Sequence, residues 1–407
     1  MKVLLVAYAC EPFQGSEPLV GWRWAQEIKA QGHSVWVMTR SNNRPVIQRY
    51  EKDHGSTGIN FEYCDLPAPL PWLKKRLPGG MYPYYYLWQF LAFLTARRLV
   101  RTIEFDRVHQ LTFVSVRFPT LLPLLGIPCV VGPLGGGERS PHQLRGTLGF
   151  KFWLSETWRS LALRIHSLDP FRALGFSFAD ELYCTTKDSI KTLPSWVRRK
   201  AKVLPAIACD GAVAPLPLKS SRNRIELLYA GLHKDWKGLR LGLRALKKAQ
   251  ATKPSEFHLT IVGRGPDHHL WRREVSQLGL QDDVEFIDWM ARDELLNLYL
   301  EKDAFLFPSL HDSGGLVVLE AMARGLPVVC LDCGGPGVSV DPKSGHCQPT
   351  ASHTAEEIVE GLAQGLLALS NPEQRSRWSK GARQRANELT WSELVGVIYS
   401  SSNESPP

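Results

Sequence analysis

Short apolar runs alternate with amphipathic stretches from one end of the chain to the other. Lys2–Ala7 is a compact apolar run, Leu19–Ala30 repeats its apolar positions at helical spacing and stops before Gln31-Gly32, and Ser34–Thr39 is again strand-like. Arg107–His109, Cys129–Gly132 and Glu181–Thr185 read as further strands. A second series opens at Ile225–Ala230 and continues through helix Leu239–Gln250, strand His258–Val262, helix Asp267–Leu278 and strand Val284–Ile287. Helix Asp293–Leu300, strand Ala304–Phe307, helix Leu316–Arg324, strand Val328–Leu331 and helix Ala355–Leu369 complete it. This alternation predicts an α/β protein with parallel sheets flanked by helices, and 407 residues exceed what one core usually sustains. Two doubly wound units are expected, over 1–208 and 224–386, joined by a Pro-, Ala- and Ser-rich linker at 209–223. A C-terminal helix is expected over 387–400, where it could pack back on the first unit, followed by a disordered polar tail at 401–407. Facing units of this kind hold ligands in the cleft at the C-terminal ends of their strands.

Composition narrows the class. With 44% apolar and 22% charged residues, whole-chain disorder is excluded. The opening MKVLLVAYAC has no charged leader beyond Lys2, and Glu11 stands where a cleavage site should lie, so it reads as a buried strand. Residues 118–137 carry no charge, but Pro119, Pro123, Pro128 and Pro133 would break a membrane-spanning helix. Cys10, Cys129, Cys184 and Cys330 lie in or beside apolar runs, as reduced core cysteines do. Cys330, Cys333 and Cys347 find no fourth ligand at convincing metal spacing, so no metal is expected and the protein reads as cytoplasmic.

The net charge of +9 is concentrated. Residues 71–107 hold seven Lys/Arg against two acids and residues 139–178 hold six against two, which accounts for the whole excess. Aromatic residues such as Trp72, Tyr82, Trp88, Phe150, Trp153 and Trp158 interleave with these charges. The mixture suits an anionic membrane surface at the inner face of the membrane, or a lipid-linked acceptor. A solvated basic face over an aromatic core is the alternative; no recognised nucleic-acid motif accompanies the charge.

The chemistry concentrates in residues 304–338, AFLFPSLHDSGGLVVLEAMARGLPVVCLDCGGPGV. A strand ends in the polar loop Ser309–Gly315, and a helix then begins on small residues. Asp312 precedes the glycines, and Glu320 lies eight residues on, inside the helix. Unpaired N–H groups and the helix dipole make such a helix start an anion site. Lys237, in KDWKGLR just before a helix, can neutralise phosphate charge there. The first βα turn, Cys10–Ser16, carries Gly15 but no GxGxxG, and GPLGGGERS at 132–140 is not followed by the Lys-Ser/Thr of a P-loop.

The Asp312–Glu320 spacing resembles the acidic-x7-acidic motif of family 4 retaining glycosyltransferases, with Asp for the usual first Glu. ACEPFQGSEPLVGW at 9–22 resembles the acceptor-side loop and first helix of part of that family. The resemblance runs from about Lys2 to Trp391 and implies the GT-B fold, two Rossmann-like domains facing a central cleft. It further implies transfer of a sugar from a nucleotide-sugar donor to a carbohydrate or lipid-linked acceptor, without a metal or resident cofactor. On this reading Glu320 holds the nucleotide ribose and Asp312 binds hydroxyls of the transferred sugar. Gly314 and the backbone N–H groups of Gly315, Leu316 and Val317 receive the diphosphate with Lys237. Gly263 and Gly265, in IVGRGP, form a turn beside the nucleotide; Gly15 and His109, the latter taken to end its strand, face the reactants. The family's arginine after the first strand glycine is replaced by Leu232, with His233 or Lys234 as substitutes. A non-catalytic nucleotide-sugar-binding protein and another GT-B enzyme, such as a nucleotide-sugar epimerase, remain rivals.

Overall fold

The computed structural model describes residues 1–12, 15, 17–77, 79–213 and 224–400. The tail at 401–407 and most of the expected linker, residues 214–223, lie outside them. The chain divides into two compact units. The first comprises Met1–Gly137, Leu161–Ala206 and the C-terminal segment from Trp391; the second comprises Glu138–Ser160 and Ile207–Thr390.

The first unit is built on a parallel sheet of strands β1 (Lys2–Ala7), β2 (Ser34–Thr39), β3 (Asn60–Tyr63), β4 (Arg107–Thr112), β5 (Cys129–Leu134), β6 (Glu181–Cys184) and β7 (Ala201–Val203), in the order β3-β2-β1-β4-β5-β6-β7. The order reverses beside β1, so the crevice of this sheet lies at the C-terminal ends of β1 and β4. β1 is central and its residues 3–7 are fully buried, which is why it reads as one continuous apolar run. Helix Met81–Leu99 buries Tyr84, Tyr85, Trp88, Ala92 and Ala96 at helical spacing, and Tyr8 packs edge-on against Tyr85 and Trp88. Helix Trp391–Tyr399 completes this unit, with Arg107 Nη1 donating to the Ile398 carbonyl at 2.8 Å.

The second unit holds a six-stranded parallel sheet of β8 (Ile225–Ala230), β9 (Phe257–Val262), β10 (Val284–Ile287), β11 (Ala304–Phe307), β12 (Val328–Leu331) and β13 (Gly345–Gln348), ordered β10-β9-β8-β11-β12-β13. Its switch point falls between β8 and β11, the strands that lead into Lys237 and Asp312. Tyr229, Trp271, Tyr299, Phe305 and Phe307 fill the core beneath. Each such buried side chain contributes about 1.5–3 kcal/mol from water exclusion.

Three expectations need correction. Residues 138–160, counted with the first unit, pack in the second, held by contacts to the 309–315 loop described below. The start of the expected linker, residues 209–213, packs with the second unit instead of lying between the two: the Cys209 N–H bonds to Leu389 O at 3.0 Å and the Val213 N–H to Ala323 O at 2.8 Å. The last helix spans Trp391–Tyr399, separate from helix Pro372–Glu388, because the chain breaks at Leu389 and Thr390. No helix of the described residues is long and apolar enough to cross a membrane.

Candidate functional site

Lys237 ends a short 3-10 turn, Asp235–Lys237, that follows β8. The turn lies close against the exit of β11. Gly238 has φ +69°, and a Cβ there would stand 1.9 Å from the Pro308 carbonyl oxygen, so only glycine permits the approach. The Leu310 N–H closes the contact by donating to Trp236 O at 3.0 Å. Lys237 Nζ thereby reaches the Asp312 carboxylate as a largely buried ion pair and lies 4.4 Å from the Trp236 ring centroid.

Asp312 is held from three sides. Its Oδ1 accepts from the N–H groups of Gly315 at 3.3 Å and Gly314 at 3.4 Å. Its own carbonyl accepts from the Gly335 N–H at 2.6 Å. Gly334, at φ +62°, passes so close that a Cβ would lie 2.1 Å from the same carbonyl. Gly315 is the left-handed N-cap of helix Leu316–Ala323, and the first amides of that helix, Leu316 and Val317, have no intrahelical acceptor. One cation, one carboxylate and a helix start therefore converge. Glu320 lies further along that helix, buried, with Arg292 Nη2 at 2.9 Å from its Oε1. Burial raises its pKa, and the half-exposed Arg292 only partly offsets this.

Beneath this group lies a second layer that the sequence reading missed. His311 stacks on Trp236 with ring centroids 4.7 Å apart, and its Nε2 is 3.1 Å from Oε1 of Glu156. Both side chains are nearly inaccessible. Burial alone would raise the Glu156 carboxyl; the imidazole of His311 beside it, aided by Ser140 and Arg159, instead holds it down at about 2. The Ser313 hydroxyl donates to Glu138 Oε2 at 2.7 Å, and Arg159 donates to the Glu138 carbonyl at 2.8 Å. Glu138 and Glu156 thus tie the 138–160 segment to the residues on either side of Asp312. One signal was available: Glu156 is one of only two acids in the basic stretch 139–178.

The two strand-end glycines serve the protein's own packing. A Cβ on Gly263 would lie 2.0 Å from Gly231 O, and one on Gly265 would lie 2.3 Å from His233 O. His233 does not supply the missing cation. It is fully buried, stacked on His268 at 5.0 Å, and burial with His268 beside it lowers its pKa to about 4. Leu232 is half-exposed.

In the first unit, His109 departs from expectation. β4 runs on to Thr112, so His109 is the third of six strand residues rather than the last, and it is fully buried. Its Nδ1 lies 2.9 Å from Tyr399 Oη and its Nε2 2.7 Å from the Gly132 carbonyl. Both ring nitrogens are engaged within the fold, and burial lowers the pKa to about 4. Gly15 is exposed, and a Cβ there would meet nothing within 4 Å. Near the C-terminal end of β4 stands Glu17, which accepts from the Val114 N–H at 3.1 Å. Burial pushes its pKa up to about 7 against that bond, the setting of a carboxyl able to exchange protons near neutrality. Among the described residues no three His, Cys, Asp or Glu side chains gather as a metal-binding group.

Comparison with known proteins follows this geometry. Residues 217–385 match the family described as glycosyl transferases group 1. A D-inositol 3-phosphate glycosyltransferase of Saccharomonospora viridis is 39% identical over 123 residues, 30% of this chain and 27% of that protein. A glycogen synthase of Mycobacterium tuberculosis is 32% identical over 185 residues, 45% of this chain and 43% of that protein. The matches thus span less than half the length of these two curated relatives. The structure of the lipopolysaccharide outer core galactosyltransferase WaaB superposes with a TM-score of 0.62 at 14% identity, covering 98% of this chain and all of that one. Anabaena HepE in complex with UDP gives 0.60 at 14% identity, covering 99% of each chain. The chain has the GT-B fold of these structures.

Proposed function

We propose, from the match of residues 217–385 to the group 1 glycosyl transferases, that the protein is a retaining, family 4 glycosyltransferase. It passes a sugar from a nucleoside diphosphate sugar to an acceptor hydroxyl in the synthesis of a surface glycan, exopolysaccharide or glycolipid. The observation that carries this reading is the Lys237–Asp312 pair at the start of helix Leu316–Ala323. Lys237 and Asp312 neutralise each other in the ion pair. An arriving diphosphate takes Lys237 and the amides of Leu316 and Val317, which leaves the Asp312 carboxylate to accept hydrogen bonds from the sugar hydroxyls. As the glycosidic bond breaks, negative charge grows on the departing phosphate, where the lysine and the helix start meet it without a divalent metal. Glu320 binds the ribose hydroxyls. On this reading Asp312 binds sugar hydroxyls rather than attacking the anomeric carbon, and the acceptor attacks the donor from its front face. The same-fold structure described with UDP supports a nucleoside diphosphate as the leaving group.

The half-exposed Leu232 and the neutral His233 favour one rival, a nucleotide-sugar-binding protein without turnover. A panel of nucleotide sugars assayed for nucleotide release, with Asp312→Asn as control, decides between them. Release above background from at least one donor, abolished in the variant, is the expected result. Tight donor binding with no release would make the protein a binder, and neither binding nor release from any donor would overturn the reading.

A further inference from the structure

Cys330 and Cys347 stand opposite each other on neighbouring parallel strands of the second unit. Cys330 is the third residue of β12 and Cys347 the third of β13, and the register pairs the two directly. Paired positions put their side chains on the same face of a sheet, and adjacent strands lie about 4.8 Å apart. A disulfide joins Cα atoms about 4.4–6.8 Å apart, so these two positions lie within its reach. The other strand cysteines are paired with aliphatic residues, Cys129 with Val108 and Cys184 with Leu134 and Val203.

The two thiols are unequal. Cys330 is fully buried, and the Cys347 sulfur beside it, then burial, push its pKa well above the usual thiol range, so it stays protonated. Cys347 is only half-buried and sits on the edge strand of the sheet, where an oxidant from solvent can reach it. Cys333 completes a CxxC with Cys330 in the sequence, but it lies beyond the end of β12, and its sulfur is turned to Thr350 Oγ1 at 3.8 Å. The structure holds all eight cysteines as thiols. The chain between Cys330 and Cys347 carries Gly334 and Gly335, which press on the Asp312 carbonyl.

We propose that Cys330 and Cys347 are a peroxide-sensitive thiol pair, a modification site that oxidation closes into a disulfide between β12 and β13. In the first step the Cys347 sulfur attacks hydrogen peroxide, gains one oxygen as a sulfenic acid and releases water. In the second the Cys330 sulfur attacks Cys347 Sγ, the S–S bond forms, and the departing hydroxide leaves as water with the Cys330 proton. Two thiols lose two electrons in all and one peroxide takes them up. The bridge staples the edge strand to its neighbour and closes a covalent loop around the glycines that back Asp312. The inference goes beyond the transferase reading and does not depend on it.

The test uses reduced full-length protein treated with a small excess of hydrogen peroxide, quenched with catalase, then denatured and alkylated with iodoacetamide. Mass spectrometry of the digest should show two fewer alkylated cysteines than in untreated protein and a linked Cys330–Cys347 peptide pair, with both thiols recovered by dithiothreitol. Cys347→Ser should yield no linked peptide from Cys330, whereas Cys333→Ser should form the same link as wild type. A Cys330–Cys333 link, or Cys347 found only as sulfinic or sulfonic acid beside an unmodified Cys330, would overturn the proposal. So would full alkylation of all eight cysteines after treatment, or a disulfide between two chains on a non-reducing gel that Cys347→Ser removes.

Discussion

Glu156→Gln is the most discriminating substitution in the second unit. The change keeps the shape of the side chain and removes its charge beneath Asp312. The fall of the Glu156 carboxyl from an ordinary 4.5 to about 2 corresponds to about 3 kcal/mol of preference for the charged form in the folded protein. Because the folded value is the lower one, this stability is fully present above pH 4.5 and is lost as pH falls from 4.5 towards 2. The glutamine variant lacks the term at every pH. In a unit of about 200 residues, about 3 kcal/mol lowers the melting temperature by roughly 6–12 °C. Differential scanning fluorimetry at pH 7 and at pH 3.5 should show a large gap between wild type and variant at pH 7 that narrows at pH 3.5. In nucleotide-release kinetics the donor KM should rise, because His311 and Asp312 are neighbours on one loop. A variant that melts with wild type at pH 7 and keeps its donor KM would refute the view that Glu156 holds the loop.

Glu320→Gln should leave melting nearly unchanged and weaken donor binding by about 1.5–3 kcal/mol, roughly ten- to hundredfold, by isothermal titration. Unaltered donor affinity would make Glu320 a helix residue serving only Arg292. Lys237→Ala should lower kcat more than it raises KM, and wild-type activity should survive EDTA. An absolute need for Mn²⁺ or Mg²⁺ would show that the lysine is not the cation at the phosphate. His109 is held neutral, with its pKa at about 4 against an ordinary 6.5, so protons bind the unfolded chain more readily. Its contribution is whole above pH 6.5 and is lost as pH falls through 4, up to about 3 kcal/mol. Urea titrations should show a shallower pH slope for His109→Gln over that range, and parallel slopes would refute the assignment.

What was legible in the sequence follows physical lines. The buried central strands β1, β8 and β11 are continuous apolar runs bounded by turns, and their expected limits match the observed ones. β3, β7 and β13 were missed because they sit at or near sheet edges, and β3 and β7 bury too little to leave a pattern in NFEY or AKV. β4 was cut short for the opposite reason. Gln110 and Thr112 look like the start of a loop, yet both are buried, and the Thr112 hydroxyl bonds to Ala9 O at 3.1 Å. A polar residue satisfied inside a central strand cannot be told from a turn residue by periodicity, and this is what misplaced His109.

The site was legible to the same extent and for the same reason. Asp312, the glycines and Glu320 belong to one local stretch, so spacing alone brings them together. Their orientation is set from far away in sequence. Lys237 reaches Asp312 across 75 residues, and Glu138 reaches Ser313 across 175. Neither contact leaves a local trace. The Lys237–Asp312 ion pair and the Glu156–His311 contact nonetheless meet on adjacent residues of one loop, and they differ in kind. The Lys237 pair borders the free helix amides, so an anion can replace its carboxylate partner; the Glu156 pair is sealed, so none can. Under the proposed transfer reaction, an exchangeable charge set on a fixed one lets this loop release a carboxylate to the sugar while keeping its own conformation, and Glu156→Gln and Lys237→Ala separate those two demands.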